Sequence, residues 1–163
     1  MYNFELPQLP ERTVKSRETG ITMVMDKGLS LRQAEDLINS SDDYIDIVKL
    51  GFGTSLVTKD LDKKLSLYLS AGIKTYFGGT LFEAFIVRGM FEAFRDLVHK
   101  YKMQCVEVSD GSIQMDHDQK CHYIESLSKD FIVLSEVGSK EEGIMIRPNL
   151  WITMMQKELE AGA

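Results

Sequence analysis

The residues best suited to chemistry sit where apolar runs break into polar loops. Lys49 lies inside Ile45-Asp46-Ile47-Val48-Lys49-Leu50, a β-branched run that empties into Gly51-Phe52-Gly53-Thr54-Ser55. A buried ammonium costs several kcal/mol, roughly, unless something pairs with it. Lys49 therefore either reaches solvent at a strand end or faces an anionic ligand. Gly78-Gly79-Thr80 precedes a helical stretch. Backbone N–H groups at such a terminus favour an anion, and glycine lets a phosphate come close. A turn with an N-cap explains the same residues. Gly51 to Ser55 is a second possible phosphate cradle, but it lacks the spacing of a nucleotide loop. Glu107 and Glu136 occupy corresponding places near the ends of consecutive strands. With Asp110 or Asp26 nearby they could hold Mg²⁺ with most of its waters retained. Equally, they could pair with Lys27, Lys49 or Lys140 as a buried charge network. His99, His117 and His122 read as helix-surface residues and suggest no zinc site. Met23, Met25, Met154 and Met155 read as core.

These groups need a scaffold, and the chain supplies a regular one. Apolar strand-like runs begin near residues 21, 45, 73, 103 and 131, each followed by a helical pattern. The first strand, Ile21 to Met25, leads to Asp26-Lys27-Gly28 and a capping box at Ser30 to Gln33. The helix after the second strand runs from Lys59 to Ala71, with Leu61, Leu65, Tyr68 and Leu69 inward and Gly72 as its stop. The third strand, Ile73 to Phe77, precedes a second capping-box pattern, Thr80-Leu81-Phe82-Glu83, and a helical region interrupted near Gly89. Strands at 103–108 and 131–136 follow, with helices at 118–127 and 150–160. Residues 1–20 read as a solvated lead-in, although Arg12, Lys15 and Arg17 are able to fold back; residues 21–163 read as the domain.

Alternation of strand and helix at this pitch means a parallel sheet. A doubly wound sheet of five strands would be complete in 163 residues, whereas an eightfold barrel needs about 250. Yet all five strands end in potential ligand groups: Asp26-Lys27, Lys49, Gly78-Gly79-Thr80, Glu107 with Asp110, and Glu136 with Lys140. A doubly wound sheet concentrates its site at one switch point, while a barrel gathers it from many strand ends. The chain thus reads as α/β, a TIM-type (β/α) barrel with about five of eight units present.

Composition narrows the partners. The formal net charge of -6 argues against general nucleic-acid binding. No apolar run is long enough to span a membrane, and no signal peptide is evident. Cys105 and Cys121 read as reduced thiols of a cytoplasmic protein.

Read together, Asp26-Lys27-Gly28, Val48-Lys49-Leu50-Gly51-Phe52-Gly53-Thr54-Ser55, Gly78-Gly79-Thr80-Leu81-Phe82-Glu83, Glu107-Val108-Ser109-Asp110-Gly111 and Leu134-Ser135-Glu136-Val137-Gly138 resemble the phosphosulfolactate synthase family in order and spacing. The resemblance implies a barrel lyase that adds sulfite to phosphoenolpyruvate, giving (2R)-phospho-3-sulfolactate in a coenzyme M biosynthetic route. It implies Mg²⁺, small anionic substrates and a homo-oligomer. Lys140 matches the family's proposed acid, with Glu136 and Lys49 as further catalytic residues. Lys27, Gly51, Thr54, Ser55, Gly78, Gly79, Thr80 and Ser109 would bind substrate, and Glu107, Asp110 and Glu136 the metal. Phe77 stands where the family commonly has proline, and Ser139-Lys140 where archaeal members tend to have two lysines. This pattern leans towards the bacterial kind. The family's sixth to eighth strands have no counterpart here. A related barrel lyase or isomerase acting on another phosphorylated enol or acid is the alternative, as is a stress-related binding or assembly protein.

Overall fold

The computed structural model describes residues 4–138, 143 and 145–163. Strands β1 (Met23–Asp26), β2 (Ile47–Leu50), β3 (Lys74–Phe77), β4 (Cys105–Ser109) and β5 (Ile132–Glu136) alternate with helices. The helices are α1 (Leu31–Ser41), α2 (Thr54–Val57), α3 (Leu61–Ser70), α4 (Gly79–Ile86), α5 (Phe91–Lys100), α6 (His117–Leu127) and α7 (Pro148–Glu160). Every ladder is parallel, with β1-β2-β3 in one sheet and β4-β5 in another. β3 lies beside β4, where the Thr75 N–H donates to Gln104 Oε1 at 3.1 Å. Among the described residues the strands follow one another in chain order. A doubly wound sheet would reverse that order at its switch point. The result is an α/β fold wound in one direction.

Strand alternation divides the side chains between two faces. Leu50, Phe77, Val106, Val108 and Val133 point to the helices and make the main core with Phe82, Phe94, Ile124 and Leu127, while Val48 packs in a second cluster with Ala34, Ile45, Tyr68 and Ile73. Phe82 packs edge-on against Phe94 and Tyr123, at ring separations of 5.4 and 5.6 Å. The opposite, inner face carries Ile47, Tyr76, Cys105 and Leu134 in a small cluster. Lys49, Glu107, Ser109 and Glu136 follow on that face by register.

Local signals explain most boundaries. Ser30 makes the capping box with Gln33 and starts α1. Gly72, at φ 68°, closes α3 in the left-handed conformation that glycine tolerates best. Other expectations need correction. α4 is capped by Gly78 without a side-chain bond: the helix begins before Thr80, so Thr80 and Glu83 do not form a capping box. Leu69 is exposed, and the buried stripe of α3 takes Lys64 instead. Met23, Met25 and Met155 are not core, being 46%, 43% and 48% exposed. The two strand methionines belong to the inner face at β1, over which no described helix packs.

The lead-in is exposed over residues 4–14, as expected, but it folds back at two cations. Lys15 Nζ donates to the carbonyls of Asp42 and Ala71 at 3.0 and 2.9 Å. Arg17 buries all but 2% of its side chain and lies 3.4 Å from Asp46. Carbonyls at the N-terminal ends of β2 and β3 need donors, and the arm supplies them.

Candidate functional site

The site forms at the C-terminal ends of β2, β3, β4 and β5, on the inner face. Lys49 Nζ donates to Glu107 Oε1 at 2.7 Å, reaching past β3 to do so. Its side chain keeps 18% exposure while Glu107 keeps 5%. The lysine is therefore both paired and accessible, which combines the two sequence readings. Tyr76 lies between them on β3. Burial, then the charge of Glu107, raise the Tyr76 pKa and keep the phenol protonated.

The glycine pair sets the depth of α4. A Cβ on Gly79 would lie 2.5 Å from Ser109 Cβ and 2.8 Å from Glu107 Oε1. One on Gly78 would lie 3.0 Å from Lys49 Cε and 3.1 Å from the Leu50 carbonyl. The space opposite these glycines is taken by the site's own side chains, so the pair serves close packing first. The helix start then sits against Lys49, Glu107 and Ser109.

One turn into α4, Glu83 is 1% exposed. Its Oε1 accepts from the Ser109 hydroxyl at 2.5 Å and from the Ser112 N–H at 3.4 Å. Ser109 Oγ also lies 3.3 Å from Glu136 Oε2. Glu83 was missed as a site residue because its position suits a capping glutamate. Placing it as the only acid inside an apolar helix, Gly79-Thr80-Leu81-Phe82-Glu83-Ala84-Phe85-Ile86, was the available signal.

The anticipated metal residues do not converge as one ligand set. Asp110 is paired with Lys120 at 2.9 Å. Asp26 faces the helix layer, where Lys64 Nζ and the Tyr68 hydroxyl reach its Oδ2 at 2.8 and 3.1 Å. No group of three or more His, Cys, Asp or Glu side chains able to hold an ion occurs among the described residues. Glu107 Oε2 and Glu83 Oε2 are nevertheless buried without a hydrogen-bond partner among those residues. Such oxygens are expensive to leave bare. They suit a hard cation that takes one or two carboxylates and completes its shell with water and substrate oxygens.

Of the remaining candidates, Lys27 is exposed at the end of β1. Thr54 Oγ1 donates to the Gly51 carbonyl at 2.6 Å, and Thr54 with Ser55 opens the short α2. Thr80 and Ser55 are half-buried. Lys140 lies outside the described residues. His117 is not a simple surface residue, since its Nε2 lies 3.0 Å from Glu158 Oε1. Two further buried groups escaped the sequence, Lys120 and Glu158. Each interrupts an otherwise apolar helical stripe, Lys120 ahead of Ile124 and Leu127, and Glu158 between Met154 and Ala161.

Comparison with known proteins resolves the family. The sequence profile described as "(2R)-phospho-3-sulfolactate synthase (ComA)" matches residues 10–163. The chain belongs to the phosphosulfolactate synthase family. The phosphosulfolactate synthase of Bacillus subtilis is 40% identical over the whole chain and 65% of its own length. That of Methanothermobacter thermautotrophicus is 36% identical over 94% of the chain and 62% of its own length. The Methanocaldococcus jannaschii protein is 37% identical over 90% and 60%. The chain thus spans less than two thirds of the phosphosulfolactate synthases it matches. The family is a lyase family, and the site just described lies within the matched stretch. No helix among the described residues is long and apolar enough to cross a membrane.

Proposed function

We propose that the full-length protein adds sulfite to phosphoenolpyruvate, forming (2R)-phospho-3-sulfolactate, on a (β/α) barrel of eight units. The observation that carries the reading is the family match over residues 10–163. The strand order supports the barrel, because a sheet wound in one direction is the arrangement that closes on itself. The part of the relatives that this chain does not cover has room for about three further units at the eightfold count.

The charges give the reading physical content. At the strand ends the carboxylates of Glu83, Glu107 and Glu136 gather near the ammonium of Lys49, which is already paired with Glu107. A dianionic phosphate, a carboxylate and sulfite cannot settle there without added positive charge. Mg²⁺ held through Glu107 and Glu83 would supply it, neutralising substrate oxygens as charge develops. Lys49, already beside Glu107, would orient the bound anion. The Ser109 hydroxyl, committed to Glu83, holds that carboxylate in place. Lys140 follows β5 and would donate the proton to the carbanion-like carbon once sulfite has added to the methylene.

The test is an assay of the full-length protein with phosphoenolpyruvate, sulfite and Mg²⁺. Sulfite-dependent consumption of phosphoenolpyruvate is expected, and Lys140→Ala should abolish it, as removal of a proton donor would. Consumption that is absent, while phosphoenolpyruvate still raises Tm, would assign the site to a different reaction.

A further inference from the structure

We propose that Lys120 is a positioning residue of the site, and that its ammonium locks the last rung of the β4–β5 ladder. Lys120 on α6 is 0% exposed. Its Nζ donates to Asp110 Oδ1 at 2.9 Å and to the Glu136 carbonyl at 2.6 Å, and lies 3.0 Å from Glu158 Oε1. An ammonium has three N–H bonds, so these three acceptors use them all. Nothing remains for a substrate, and Lys120 cannot act on one directly.

The acceptors come from three elements, and their places are informative. Glu136 ends β5 and is the registered partner of Ser109, which ends β4. Asp110 follows Ser109 directly. The ammonium therefore ties the ends of both strands at the rung whose side chains, Ser109 and Glu136, face the site 3.3 Å apart. Glu158 brings the balancing charge from α7, where it also bonds the Ser135 hydroxyl and faces His117. A merely stable core would be served as well by apolar side chains here. A saturated ammonium instead fixes direction, since its hydrogen bonds are met at only one relative placement of the two strand ends.

The inference rests on the proposed function for its effect on turnover, but not for its structural effect. Lys120→Met alone leaves the buried Glu158 and the half-buried Asp110 without their cation and endangers folding. The informative variant is Asp110→Asn, Lys120→Met and Glu158→Gln together in the full-length protein, which removes the buried charges at once. Amide hydrogen exchange at Ser109, Asp110, Glu136 and Val137 should accelerate about tenfold relative to the start of the ladder at Cys105 and Val106. With phosphoenolpyruvate and sulfite, kcat should fall by about a hundredfold while KM moves only a few-fold, as expected when reacting groups lose alignment. Unchanged exchange at the strand ends, or a kcat within about twofold of the parent, would overturn the proposal. Should the parent itself show no sulfite-dependent turnover, the functional reading fails on its own and the exchange result alone decides for or against Lys120.

Discussion

Asp26 shows how a carboxylate at a strand end serves structure, although the sequence equips it equally well for ligand binding. Its Oδ1 accepts the N–H groups of Gly28 and Leu29 at 2.8 and 2.7 Å. Its Oδ2 takes Lys64 and Tyr68. Burial pushes its carboxyl up, but the bonds from Lys64, Leu29 and Gly28 and the charge of Lys64 outweigh burial and hold it below its ordinary value of 3.8. A carboxylate depressed in the folded state stabilises above its unfolded pKa, and that stability is lost as pH falls through the folded value. We expect the parent to lose this contribution progressively below about pH 4, and Asp26→Asn to lower stability at pH 7 while flattening the acid limb. Unfolding curves from pH 7 to 3 check it; an acid limb as steep in the variant as in the parent removes Asp26 from the account. The residue type was legible from the sequence. Its direction was not, because one position along the strand decides whether a side chain meets α3 or the inner face.

Among the elements, the alternation of strands and helices was readable because glycines and acidic turns punctuate it. Register and contact were less so. The four-residue α2 is too short to leave a periodic pattern, and the start of α4 depends on a close approach that no local motif encodes. Gly79 makes that approach measurable. Alanine there would put a Cβ 2.5 Å from Ser109 Cβ, closer than packed carbons tolerate. Helix propensity favours the alanine by about 1 kcal/mol. Displacing α4 from β4 costs more, about 3 kcal/mol at the upper end for overpacking. Gly51 is the control, since its added Cβ would meet nothing nearer than 3.4 Å. We expect Gly79→Ala to lose about 2 kcal/mol net and the site's ligand affinity, and Gly51→Ala to stay within about 1 kcal/mol of the parent. Denaturant melts and phosphoenolpyruvate calorimetry on both variants compare them directly. Equal stability of the two would mean that α4 is not seated by its glycine.

At the scale of the molecule, five parallel strands leave two kinds of surface without cover among the described residues. β1 and β5 each have a neighbour on one side only, and an unpaired strand edge is a template for another chain. The inner face exposes Met23, Met25 and Ile132, the last by 51%. α7 adds Leu150, Trp151, Ile152, Met155 and Leu159, all exposed along one helix. Scattered apolar exposure is ordinary, but five such side chains fall within the 13 residues of α7 alone. At about 25 cal/mol per Å², even some 300 Å² of apolar surface represents roughly 7 kcal/mol, the scale of a whole domain's stability. A polypeptide of residues 1–163 produced alone should therefore associate with itself or unfold over a broad range, and should not turn over sulfite and phosphoenolpyruvate. The full-length protein should unfold sharply. Light scattering coupled to size exclusion, with a thermal melt, reads both. A monomeric mass and one cooperative transition for residues 1–163 would show that the five units close their own core, and would remove the reason for completing the sheet with further strands.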